Sequence, residues 1–398
     1  MKKNILLIIL GTILVSCNNE IQNNEQIEVI DLTSSSKKKF SELFSSYEII
    51  QLETNSSSLV GLSISKAEIY KGKMYFLNLL SSRKNILCFD SIGNFSFVID
   101  RLGSGPEEYT YLQDFFIDKN RNEMILICIP YKDIMYLDLD GNFIKTKARP
   151  DESYINQMFP INDSIYMGYS MITQAPIDFN LIQYDANSFE IIQKTDKMKE
   201  YVPFLGNFPL TYYNNSAYYY DNMSDTIYDV TDVNFAEALY YVNSGKDTQD
   251  AKKQFKAIAL KDPSLFFNKS FEILYDKDMI CVYSYYINNN WVALNVDKPK
   301  ERYKREKGVK KYIVFYNKKK QESYSSENII FDIFNLKEAL PELKIAANCD
   351  DYFYLLINYE FTEEQKNLIK QSKLTEKEKA ILINHTEEDN PIIMKIKT

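Results

Sequence analysis

Arg101, Glu108 and Tyr109 stand close together around a Gly103-Ser104-Gly105-Pro106 turn. A guanidinium grips a carboxylate through a planar fork of donors, a carboxylate accepts hydroxyl protons, and a tyrosine ring offers a flat face with a polar tip. These three residues are the candidate ligand-binding side chains. A structural salt bridge and a packed ring are the alternative for the same residues. A phosphate cradle would need Gly-x4-Gly-Lys-Ser/Thr ahead of a helix, and no lysine follows Gly105 here, so the glycines read as a stiff turn. The chain has one histidine, His385, which excludes a multi-histidine metal site. It lies in a polar run, Asn384 to Asn390, and is expected to be solvated. Glu387-Glu388-Asp389 offers oxygen ligands without the spacing of a calcium loop. No catalytic residue, metal or cofactor is therefore assigned. Lys298 to Lys320 holds eleven Lys and Arg residues. It reads as a solvated hairpin loop feeding the strand Tyr312 to Tyr316, with a docking patch for anionic headgroups or an acidic partner as the alternative.

Cys17 closes the run Leu14-Val15-Ser16-Cys17, behind Lys2, Lys3 and an apolar stretch from Ile5 to Val15. A short basic start, an apolar core and small residues at the cut make a secretory signal rather than a span, which would need about 20 apolar residues. The Leu-Val-Ser-Cys ending resembles the lipobox of bacterial lipoproteins. That resemblance implies cleavage before Cys17, lipid attachment to it and a membrane anchor. Asn18 after the cysteine is similar to outer-membrane sorting signals, with the leaflet undecided. The segmentation expected is a signal peptide over 1–16, a flexible polar tether over 17–39 and a folded body over 40–398.

The chain has 398 residues and a net charge of −8, which becomes −10 without Lys2 and Lys3, with 45 basic residues against 55 acidic. Phosphate backbones are bound largely through basic surface, so nucleic acid is excluded as a partner. Cys88, Cys128, Cys281 and Cys349 sit in or beside apolar runs without zinc or CxxC spacing. Buried free thiols are expected, although export would permit disulfides.

The elements that position these residues repeat. Asp90, Gly93, Asn94 and Phe95 recur 48 residues on as Asp138, Gly141, Asn142 and Phe143, and a weaker copy runs from Tyr184 to Phe189. Each reads as strand, tight turn, strand, with Gly and Asn supplying left-handed backbone. Polar turns followed by apolar strands start at Gly72, Asn122, Asp163, Ser216, Lys277 and Asp350. With 31 tyrosines and 24 phenylalanines, the chain suits half-buried pleated surfaces. A period near 50 residues built of short strands predicts an all-β, six-bladed β-propeller with short helical inserts. The inserts are placed at Thr248–Lys261, Leu336–Leu343 and Thr362–Ile383. Pro391 to Lys397 is expected to pair with Tyr47 to Leu52 and close the ring.

The run Arg101 to Tyr109 resembles the Gly-x-Gly-Pro-Gly-Glu-Tyr loop of a family of six-bladed β-propeller lipoproteins of Gram-negative envelopes. Glu107 stands where that family usually has glycine. Asp389-Asn390-Pro391-Ile392-Ile393 is similar to its terminal strand, and the Asp-x-x-Gly-Asn hairpins fit as well. The resemblance implies the fold and an envelope location; the family largely lacks an assigned activity. The expected function is a non-enzymatic binding or scaffold module for a glycan, peptide or partner protein. The alternative is a lyase or hydrolase using carboxylate, Tyr and Arg residues of the central tunnel. Cys17→Ser is expected to release a folded, exported, soluble protein from the membrane fraction. Fatty-acid labelling checks this, and wild-type protein that takes up no label would remove the anchor.

Overall fold

Apolar and aromatic runs bounded by Asp, Asn and Gly turns fold here as strands, because branched and aromatic side chains pack on pleated surfaces. The computed structural model describes residues 27–60, 63–80, 83–129, 133–148, 155–170, 181–195, 208–261, 272–301, 304 and 307–398. Six small antiparallel sheets form a ring, a six-bladed β-propeller. Blade 1 comprises Ser63–Tyr70, Lys73–Leu80, Arg83–Asp90 and Phe95–Ile99. Blade 2 comprises Tyr111–Asp118, Glu123–Ile129, Asp133–Asp138 and Phe143–Ala148. Blade 3 comprises Ile155–Pro160, Ile165–Ser170, Leu181–Asp185 and Ile191–Lys194. Blade 4 comprises Leu210–Tyr213, Ser216–Asp221, Thr226–Asp232 and Phe235–Asn243. Blade 5 comprises Cys281–Ile287, Trp291–Pro299, Val309–Asn317 and Glu322–Ser325.

Blade 6 is made from both ends of the chain. Lys344–Cys349, Tyr352–Ile357 and Ile392–Lys397 are joined on the outside by Ser46–Gln51, in register from Ile392 opposite Gln51 to Lys397 opposite Ser46. The closing pair anticipated from the sequence is thus in place. Buried side chains collect at the blade junctions. Phe76 and Phe89 pack with Leu356 and Ile393 between blades 1 and 6, and Phe116 and Ile125 pack with Tyr166 and Tyr184 between blades 2 and 3.

The first two hairpins share one hydrogen-bond pattern. Asp90 Oδ1 accepts from the Ile92 and Asn94 N–H groups, and Asp138 Oδ1 accepts from those of Asp140 and Asn142. Each turn docks on the blade before it. Gly93, at φ +95°, lies so close to the Gln51 carbonyl that a Cβ would stand 2.1 Å from its oxygen. In the third hairpin Phe189 itself takes the positive φ, 61°.

Several expectations are corrected. Part of the segment read as a tether is folded: Glu28–Asp31 runs parallel to Phe235–Asn243 as a fifth strand of blade 4, and Lys38–Lys39 pairs with Ile329–Ile330. Ile30 and Leu32 drive this by burying against Ile227 and Val242. Residues 1–26, including Cys17, lie outside the described residues. Leu336 to Leu343 is not helical: Asn335 turns left-handed and ends a short 3-10 turn at Asp332–Phe334, and Pro341 disfavours helix at Leu340. Thr362 to Ile383 is two helices, Glu363–Lys370 and Glu376–Asn384. Each starts at a capping box, Thr362 with Gln365 and Thr375 with Glu378. The turn at Lys277–Asp278 leads into the inner strand of blade 5, whereas Asn288 to Asn290 is the turn equivalent to the others. His385 is buried, not solvated; both ring nitrogens lack a partner, and burial pulls its pKa down against Asp389 and Glu360.

Deleting Pro391 to Thr398 is expected to abolish the cooperative melting transition. The strand buries Ile392, Ile393, Met394 and Ile396, each contributing about 1.5–3 kcal/mol, and a domain's whole stability is about 5–15 kcal/mol. Ile396→Ala should cost about 2–5 kcal/mol. An unchanged melt in the truncated protein would refute the closure.

Candidate functional site

Antiparallel blades give the ring two faces. One carries the turns from inner to second strands; the other carries the crossovers from each outer strand to the next inner strand. Arg101, Glu108 and Tyr109 lie in the crossover from blade 1 to blade 2. Glu108 folds back so that its Oε2 accepts from the Gly105 N–H at 2.7 Å. A Cβ on Gly103 would meet that carboxylate at 1.9 Å, which is why glycine stands there. Tyr109 is buried among Ile86, Ile99, Leu112 and Cys128, and burial pushes its hydroxyl up to about 12. Arg101 donates to the Gly141 carbonyl at 3.2 Å and pairs with Glu107 at 3.4 Å. The three residues therefore meet in one loop, each engaged with neighbouring protein groups.

On the turn face a cavity of about 280 Å³ opens on the propeller axis, lined from all six blades. Its walls come from the inner strands. In five of these, the register against the second strand shifts by one residue, as between Ile64 and Lys66, Leu112 and Asp114, and Ile155 and Gln157. Such bulges re-aim side chains, and in blades 1 to 3 the residue just past the bulge links its blade to the next. Lys66 donates to the Phe115 carbonyl at 2.7 Å and Asp114 accepts from the Met158 N–H at 2.9 Å. Gln157 bonds both backbone groups of Leu210, at 3.2 and 3.1 Å. The Phe208 N–H donates to the Tyr283 carbonyl at 3.3 Å. Asn295 bonds both backbone groups of Ile345, and Lys344 donates to the Ile64 carbonyl at 2.6 Å. All six junctions carry such a link.

Glu68 of blade 1 and Tyr212 of the opposite blade 4 meet across the axis, the hydroxyl donating to Glu68 Oε2 at 3.3 Å. Tyr212 stacks on Phe159, with ring centroids 4.9 Å apart and planes 19° apart. Burial pushes the Glu68 carboxyl above its usual range, while Lys66, 3.5 Å away, works against that. Burial likewise lifts Tyr212 well above an ordinary tyrosine. Lys66 also pairs with fully buried Asp114 at 3.3 Å. Asn348 donates to the Ile287 carbonyl at 2.6 Å, and its buried Oδ1 has no partner. Burial pushes the Cys349 thiol up to about 11, with Asp350 adding to the effect. Cys88, Cys128, Cys281 and Cys349 are free thiols. On the crossover face a second cavity, about 350 Å³, holds Lys344, whose amine burial lowers to about 8, and Asp297, whose carboxyl burial raises. The basic run Lys298 to Lys320 is partly paired, Lys298 with Asp278, Lys300 with Glu342 and Lys310 with Glu327.

A family model described as a domain of unknown function, DUF4934, matches residues 25–397. The chain belongs to that family. Its fold is similar to a protein of Bacteroides fragilis NCTC 9343 whose name describes it, by inference, as exported: 19% identity, TM-score 0.68, covering 93% of this chain and 99% of that one. It is also similar to a member of the duf4221 family from Bacteroides vulgatus ATCC 8482: 11% identity, TM-score 0.52, covering 89% and 97%. At these identities the likeness carries the fold. No curated protein matches the chain. No helix among the described residues is long and apolar enough to cross a membrane.

The axial residues Lys66, Glu68, Asp114, Gln157 and Tyr212 were not singled out by the sequence reading. A signal for two of them existed: Lys66 and Asp114 are 48 residues apart, the same step as the hairpin aspartates.

The folded state holds the Glu68 proton more tightly than the unfolded chain does. Its contribution to stability is therefore complete below the ordinary glutamate pKa of about 4.3 and is lost as the pH climbs through the raised value. Glu68→Gln keeps the shape and cannot ionise. Its melting temperature is expected to fall less than that of wild type as the pH rises above about 4.3. Parallel curves would show that Glu68 is not buried as described.

Proposed function

We propose that the protein is an exported, lipid-anchored binding module of the cell envelope, and that its axial cavity receives the end of a glycan or peptide. The anchor is Cys17. The observation that carries the binding site is the Tyr212–Glu68 hydrogen bond across the axis. It sets an aromatic and a carboxyl of raised pKa at the depth of a concave site, where a few convergent polar groups give orientation and apolar walls give affinity. Lys66 is already matched by Asp114, so the depth favours uncharged hydroxyl or amide groups over an ion. Asn348 Oδ1 is an acceptor free for a ligand. The loop of Arg101, Glu108 and Tyr109 is assigned to holding the crossover face in shape.

Glu68 also supports a second reading, a lyase or hydrolase. A carboxyl whose burial favours its protonated form can deliver a proton to a leaving group, with Tyr212 in contact and Lys66 in place of the expected arginine.

Screening glycan and peptide panels by thermal shift, then by calorimetry, tests both readings. The binding reading expects a ligand recovered intact, with affinity falling about tenfold or more, about 1.4 kcal/mol, in Tyr212→Ala. Product formation that stops in Glu68→Gln would favour the enzyme. Absence of any ligand dependent on Tyr212 would overturn the axial site.

A further inference from the structure

The axial cavity continues sideways. A neighbouring cavity of about 430 Å³ on the turn face shares Ile69, Lys119, Cys349 and Asp350 with it. Among the residues lining this side cavity, three amines, Lys71, Lys119 and Lys395, face one carboxylate, Asp350. Tyr70 holds two of the amines. Lys71 Nζ lies 5.4 Å and Lys119 Nζ 5.8 Å from its ring centroid, and the Tyr70 hydroxyl reaches the Lys119 carbonyl at 2.9 Å. Lys71 donates to Asn122 Oδ1 at 2.5 Å, a neutral partner that leaves its charge uncompensated. Lys395 pairs with Glu48 at 3.3 Å. The site is thus graded: balanced charge at the axial depth, surplus positive charge beside it.

We propose that the side cavity is the anion subsite of the axial site, and that the ligand is a glycan whose sugar at the axis is uncharged and whose neighbouring unit carries a carboxylate, a uronic acid. This rests on the axial binding reading. A sugar ring presents hydroxyls to single polar groups such as Asn348 Oδ1 and Ser284 and an apolar face to aromatic walls such as Phe159 and Tyr354. Two adjoining cavities suit consecutive units of one chain, and the amines attract the carboxylate through a contact that salt weakens.

Calorimetry on the mature chain with glucuronosyl-galactose, a uronic acid joined to an uncharged sugar, its methyl ester and a tri-aspartate peptide tests this. Glucuronosyl-galactose is expected to bind at least about tenfold more tightly than the ester at low salt. That advantage should shrink as salt rises and vanish in the double variant Lys71→Glu, Lys119→Glu. Lys370→Glu, on the helix Glu363–Lys370, should keep it. Equal affinity of acid and ester overturns the anion subsite; if that affinity still depends on Tyr212, the axial reading survives alone. Tri-aspartate binding as tightly as glucuronosyl-galactose overturns the glycan assignment. No binding of either glucuronosyl-galactose or its ester overturns the proposal.

Discussion

The hydrogen-bonded pairing of Ile392–Lys397 with Ser46–Gln51 is the interaction on which the rest of the molecule depends. A propeller blade buries its side chains against its neighbours rather than within itself, so a missing blade exposes two junctions at once. The junction between blades 6 and 1 joins Ile50 and Leu52 from one end of the chain, Ile393 from the other, and Phe76 and Phe89 from blade 1. The polar links follow the same circle. Lys66, Asp114, Gln157, Asn295 and Lys344 each hold the backbone of the next blade. The axial cavity has its shape because that circle is complete: Glu68 and Tyr212 meet only if opposite blades are held at a fixed distance.

Much of the fold was legible because turn chemistry is local. The aspartate, glycine and asparagine of the first two hairpins announce a strand pair whatever surrounds them, and a period read from them sets the blade count. The capping boxes at Thr362 and Thr375 are equally local, but they went unread, and two helices passed for one insert. The errors arose where burial by a distant partner decides the outcome. Glu28 to Leu32 looks polar until Ile30 and Leu32 find blade 4, and His385, in a polar run, is nonetheless buried. The loop at Arg101 drew notice because its residue types are chemically capable, yet their capacity is taken up by Gly105, Gly141 and the junction core. The axial residues lie inside apolar strands, and convergence of six strands on one axis cannot be read from any one of them.

Charge is arranged around the axis in a consistent way. Lys66 and Asp114 neutralise each other inside the ring, Glu68 is biased toward its neutral form, and Lys344 toward its own. Burying isolated ions is costly, so the interior approaches neutrality although the chain as a whole is acidic. The uncompensated charge lies at the turn-face rim, where water can share it.

The fifth strand of blade 4 also sets how the body responds to a pull on its N-terminal end. Tension on the chain before Ile27 would enter at Glu28–Asp31, whose hydrogen bonds to Tyr240–Asn243 lie across the direction of pull. A parallel pair loaded along its length must shear several bonds together instead of peeling them one by one. Asp31 adds a bond to Ser323, and Lys38–Lys39 adds a second pairing before the chain reaches Ser46. Drag on the body would thus be taken up by the wall of blades 4 and 5, and the strand that closes the ring would stay unloaded.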